Sequence, residues 1–154
     1  MDEEKVTMNE FHKKIAISTN NGIWPTLDKE KPSKEELEEA LHMAHTSMYH
    51  WSKIGQPINK ARAEYMISRV NYALGWAQPA LYHAEQCLKI TEATGIGDFD
   101  LAFAYEALAR AYSIAGKKSE CKKYLQLSQK AIDDIKGQED RKICQSELDK
   151  VKCI

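Results

Sequence analysis

A register that returns after 41 residues constrains this chain more than any other feature. The stretch ARAEYMISRVNYALGWAQPALYHAEQCLKI comes back as AFAYEALARAYSIAGKKSECKKYLQLSQKAI. Ala61, Ala63, Arg69, Gly75 and Lys89 fall opposite Ala102, Ala104, Arg110, Gly116 and Lys130. Each copy reads as a helical pattern, a glycine and a second helical pattern. One helix pair cannot bury its apolar face alone. Tandem pairs stack face on face and leave an extended groove. The register therefore predicts an all-α superhelix of stacked antiparallel helix pairs with no sheet.

The remaining segments fit around that repeat as one domain spanning 1–154. An N-terminal hairpin covers about 3–54, repeat pairs cover about 58–94 and 99–135, and a capping helix covers about 138–151. The first helix should begin near Glu3. Asn20, Asn21, Gly22 and Pro25 weaken it, so a kink or a separate short helix is expected at 22–28. Ser33 and Glu36 form a capping box that opens the second helix, whose buried stripe is Leu37, Leu41, Ala44, Met48 and Trp51. Gly95 reads as a C-cap. Asp98 or Asp100 reads as the N-cap of the helix after it. Ile143, Leu148 and Val151 should cover the last pair.

Charge and hydropathy exclude several function classes. The chain has 22 Lys and Arg against 23 Asp and Glu, without the basic excess that phosphate contacts need or a polybasic membrane anchor. No apolar run is long enough to span a bilayer, and the opening MDEEKVTMNEFHKK lacks the build of a signal peptide. The expected compartment is the cytoplasm, with neither nucleic acid nor membrane as partner. Cys87, Cys121, Cys144 and Cys153 form no CxxC pair and no zinc-finger spacing. They are expected to be reduced and packed as small apolar groups, with a structural disulfide as the outsider.

The second copy, with Tyr105, Leu108, Ala109, Tyr112, Cys121, Leu125 and Ser128, resembles the tetratricopeptide repeat. The first copy is a degenerate version, with Glu64, Ile67, Ser68 and Asn71 at the corresponding positions, then Ala80, Ala84 and Cys87. FHKKIAISTNNGIWPTLD, HTSMYHW, GQPINKARAEYMISRV and GIGDFDLAFAYEALARAYSIAG also resemble a small bacterial and archaeal family of tetratricopeptide-like proteins, for which no activity is implied. The resemblance implies a right-handed superhelix. It also implies that the first helix of each pair lines the concave face.

Carried onto this chain, the groove positions are Arg62, Tyr65, Arg69 and Tyr72, then Phe103, Glu106, Arg110 and Ser113. Arginine forks grip carboxylates, and aromatic and arginine side chains dominate interface energies. These residues predict a groove for a protein or peptide partner, acidic in character. The same residues admit a scaffold role, in which Arg69 and Arg110 pair with Glu64, Glu106 or Asp100 and fix the stacking.

The leading expectation is thus a non-catalytic interaction module with no cofactor and no metal. The alternative is a small metal-dependent enzyme built on His42 and His45, three apart on the second helix. HxxH lacks the third ligand and the open position that a catalytic zinc needs. Self-association through edge helices is a further alternative. No nucleophile elbow, P-loop or dinucleotide fingerprint occurs.

Overall fold

The computed structural model describes residues 3–154. Met1 and Asp2, which the sequence reading includes in the domain, lie outside them. Among the described residues the chain is all α, with helices α1 (Met8–Leu27), α2 (Lys34–Ile54), α3 (Pro57–Ala73), α4 (Ala77–Thr94), α5 (Asp98–Ile114), α6 (Lys118–Asp133) and α7 (Gln138–Leu148), and no strand. α1 packs on α2, α3 on α4 and α5 on α6, and α7 lies against both α5 and α6.

The bend of the stack follows from which helices reach past their partners. The backbones of α1 and α3, α3 and α5, and α5 and α7 come close, whereas those of α2, α4 and α6 stay apart from one another. The odd-numbered helices therefore crowd along the inside of a curve and the even-numbered ones splay outside. Small residues permit the crowding. In α5, Ala102, Ala104, Ala107, Ala109 and Ala111 are all buried. Burial on several sides at once, Asp100, Glu106 and Arg110 included, makes α5 an interior helix.

One buried serine stitches each helix pair. Ser47 Oγ donates to the Ala16 carbonyl at 2.8 Å, Ser68 Oγ to the Ala80 carbonyl at 2.8 Å, and Ser128 Oγ to the Ala102 carbonyl at 2.9 Å. A short side chain with one donor suits such a close crossing. It satisfies its own polar group without opening the interface. The turns within the pairs repeat as well. Gly75 and Gly116 both hold the left-handed conformation, φ +78° and +74°, which side chains with a Cβ resist.

Three local expectations are corrected, and at 22–28 the separate short helix is ruled out. α1 begins at Met8, because Thr7 Oγ1 accepts the Glu10 amide at 3.1 Å and ends the extended entry segment there. It then runs unbroken through Pro25. Ile23 and Ala16 are fully buried and hold the helix to its neighbours, and Asn21, whose carbonyl loses its helical donor to Pro25, is exposed to water. A Cβ at Gly22 would lie 2.5 Å from Met43 Cε, the flexible end of that side chain, which would have to turn aside. Neither Asp98 nor Asp100 caps α5 with its side chain: Gly97 is the N-cap, and both acids fall in the first turn, where the helix dipole still favours them. On α7 it is Cys144, with Leu148, that is buried, while Ile143 is exposed.

The cysteine expectation is also corrected. Cys121 is bonded to Cys153, with their Cα atoms 5.7 Å apart. After α7 the tail returns to the second repeat, where Val151 packs in a cluster with Ala109 and Cys121. A sequence separation of 32 residues conceals that return from any spacing rule. Cys87 and Cys144 are free and buried. Among the described residues no helix is long and apolar enough to cross a membrane.

Candidate functional site

The inner helices build a trough. α3 and α5 form its floor, α1 one rim and α7 the other. Two cavities occupy it. One, of about 180 Å³, lies between Trp24, Arg62, Tyr65, Met66, Phe99 and Phe103. The other, of about 420 Å³, lies between Trp24, Asp28, Phe99, Phe103, Asp140 and Glu147. They share Trp24, Phe99 and Phe103 and so form two compartments of one depression.

A buried charge cluster underlies the trough. Arg69 and Arg110, at equivalent positions of α3 and α5, both reach Glu147 Oε2 on α7, at 3.2 and 3.1 Å. Arg110 also pairs with Glu106 within α5, and its Nη2 donates to the Glu147 carbonyl at 3.0 Å. Arg69 Nη1 donates to Tyr65 Oη at 2.7 Å and lies 3.8 Å from Glu106 Oε1. Tyr65 Oη in turn donates to Glu106 Oε2 at 2.7 Å. Arg69 Nε is the buried side-chain polar atom left without a partner among the described residues. Cations and carboxylates balance: Arg69 and Arg110 against Glu106 and Glu147. A buried charge set of this kind holds only if matched and hydrogen-bonded.

Protonation states follow from these surroundings. Burial pushes the Tyr65 phenol well above its ordinary range, with Glu106 acting in the same direction, so the hydroxyl remains a donor. Burial alone would raise the Glu147 carboxyl. Arg69, Lys150 and Arg110 outweigh it and hold the group below its ordinary value.

The sequence-derived groove residues thus divide. Tyr65, Arg69, Glu106 and Arg110 are buried in the cluster. Tyr72 is half-buried with the Arg110 guanidinium 5.2 Å over its ring. Ser113 Oγ turns back to the Arg110 carbonyl at 2.6 Å. Arg62 and Phe103 do line the trough. Arg62 forks onto Asp100, Nε to Oδ1 at 2.9 Å and Nη2 to Oδ2 at 3.0 Å, and lies 5.1 Å from the Phe99 ring centre. Its remaining nitrogen, Nη1, has no protein partner among the described residues.

The sequence reading missed Glu147, Trp24, Phe99, Asp28 and Asp140 as members of this site. Phe99 could have been found, because it stands four residues before Phe103 and shares its helix face. Glu147 could not, because it meets Arg69 across 78 residues.

The histidines are dispersed over α1, α2 and α4. His42 is exposed. His45 meets His83 edge-on, ring centres 5.8 Å apart, and His83 Nδ1 is 2.5 Å from Glu64 Oε2. His12 Nδ1 and His50 Nδ1 are 2.8 Å apart, bridging α1 and α2. Among the described residues no group of three or more His, Cys, Asp or Glu side chains is arranged to hold a metal ion.

Comparison of this chain with family models, curated proteins and solved structures finds no match. The helix-pair architecture stands on the contacts described above.

Proposed function

We propose that this protein is a non-catalytic, tetratricopeptide-like interaction module, a right-handed superhelix that receives a segment of another protein in the trough between α1 and α7. The observation that carries this reading is the aromatic lining of that trough. Trp24, Phe99 and Phe103 line both compartments and remain partly exposed, beside the largely buried α3 and α5. Partly exposed aromatic surface in a concavity supplies the contact area that anchors a partner. An open depression suits an extended chain better than it encloses a metabolite.

The charged residues support binding over chemistry. Arg69 and Arg110 are consumed by internal carboxylates, and neither stands beside a nucleophile. Arg62 is the groove arginine with an unengaged nitrogen, and it is the position at which an acidic residue of the partner would be gripped.

Panning a random peptide display library against the purified protein tests the proposal. Enriched peptides should perturb the amide resonances around Trp24, Met66 and Phe103. Peptides that map only to the outer helices α2 and α4, or no enrichment at all, would overturn it.

A further inference from the structure

We propose that the larger compartment of the trough receives a basic side chain of the partner segment, the ammonium of a lysine or the guanidinium of an arginine, held among the Trp24, Phe99 and Phe103 rings and between Asp28 and Asp140. This rests on the reading of the trough as a segment-binding groove and adds the chemistry of what enters it.

The compartment, about 420 Å³, is walled by aromatic rings and carboxylates. Phe99 and Phe103 stand 79° apart in a T arrangement, ring centres 6.4 Å apart. Differently oriented rings can surround an inserted head group, and an aromatic face attracts a cation through its quadrupole. An apolar stem suits the same walls, so a lysine or arginine side chain matches both parts of the site.

Charge complementarity selects the sign. Asp28 comes from the end of α1 and Asp140 from the first turn of α7, on opposite rims. Neither carboxylate has an ion-pair partner among the described residues. Glu147 adds no net charge, because Arg69 and Arg110 hold its Oε2 and Lys150 lies 3.1 Å from Oε1. The uncompensated charge of the compartment is therefore negative. The Cys144 thiol lies on the same wall. Burial first, then Asp140, Glu106, Asp98 and Asp100, push it up to about 12. An entering carboxylate would meet Asp28 and Asp140, and the wall of this compartment holds no Lys or Arg to receive it.

Titration with Nα-acetyl-lysine N-methylamide, followed by proton and nitrogen resonances, tests the assignment. The indole N–H of Trp24 and the ring signals of Phe99 and Phe103 should shift. The Nε-acetylated form of the same probe, equal in stem but uncharged, should bind at least tenfold more weakly. The Asp28→Asn/Asp140→Asn variant should lose a similar factor for the charged probe while its helicity and Tm stay those of the parent chain. Equal affinity for both probes, unchanged affinity in the variant, or no shift at the three rings would overturn the cation assignment. If displayed peptides still map to the trough after such a result, the groove stands and only its cation compartment falls.

Discussion

Tyr65 and Glu106 stand 41 residues apart at the same position of the two repeats, and the Tyr65 hydroxyl donates to Glu106 Oε2 at 2.7 Å. The repeat thus contacts itself through its own register. Two different residue types occupy one repeat position and complement each other across the α3–α5 interface. Arg69 and Arg110, also register mates, flank the same carboxylate and share Glu147 as a second one.

Removing members of this cluster should separate a hydrogen bond from a charge. Tyr65→Phe deletes one hydroxyl while keeping the ring, and should cost about 1.5–3 kcal/mol as a hydrogen bond to a charged group. Glu106→Ala leaves two buried guanidiniums under-compensated and should cost about 3–5 kcal/mol. Urea unfolding of both variants measures the two values. The order Glu106→Ala above Tyr65→Phe is the expected outcome.

Arg69→Ala/Arg110→Ala should lower Tm steeply and so cannot serve as a binding test. It strands the buried Glu106, where a lone carboxylate is costly, and leaves Glu147 with Lys150 alone. By contrast, Asp28→Asn/Asp140→Asn alters charges that hold no structural partner, and its stability should stay within about 0.5 kcal/mol of the parent chain. Thermal melts monitored by circular dichroism distinguish the two. A double arginine variant that melts like the parent would move both side chains out of the scaffold.

Acid should attack the same cluster. The Glu147 carboxyl is held below its ordinary value of 4.5 by Arg69, Lys150 and Arg110, against the opposing effect of burial. In the unfolded chain it binds protons more readily than in the folded one. Its contribution is therefore complete above about pH 4.5 and is lost as pH falls below that value through the folded-state titration. In Glu147→Gln this part of the acid dependence should disappear. Unfolding free energies of the two proteins, measured from pH 6 downwards, should show a shallower fall for the variant.

Local signals made much of the helical plan legible. Ser33 and Glu36 form both halves of the capping box that opens α2. Gly95 caps α4 in the left-handed conformation. These depend on neighbours in sequence. Pro25 left two alternatives open, because the strength with which Ile23 and Ala16 hold α1 in place is set by α2 and α3, which local propensity cannot register. The site was less legible for a related reason. The register identified Arg69 and Arg110 as paired positions, but whether they face a ligand or a carboxylate depended on α7 bringing Glu147 across the trough. Asp28 and Asp140 look like ordinary helix-end acids until the two rims are seen to face one cavity.

The Cys121–Cys153 bond should act on stability through the tail alone. It closes a segment with a sequence separation of 32 residues, and a link of that span stabilises by about 3–4 kcal/mol through the lost entropy of the unfolded chain. Cys153→Ser removes the bond while leaving Cys121 small enough for its fully buried site. The variant should therefore keep its helices and lose roughly that much stability. Unreduced, denatured protein should titrate two thiols, Cys87 and Cys144, and reduced protein should titrate all four cysteines. In a reducing compartment the thiols would stay free and the tail would be held mainly by Val151, packed against Ala109 and Cys121. Titration of all four thiols without a reductant, or an unchanged unfolding midpoint in Cys153→Ser, would count against the bond.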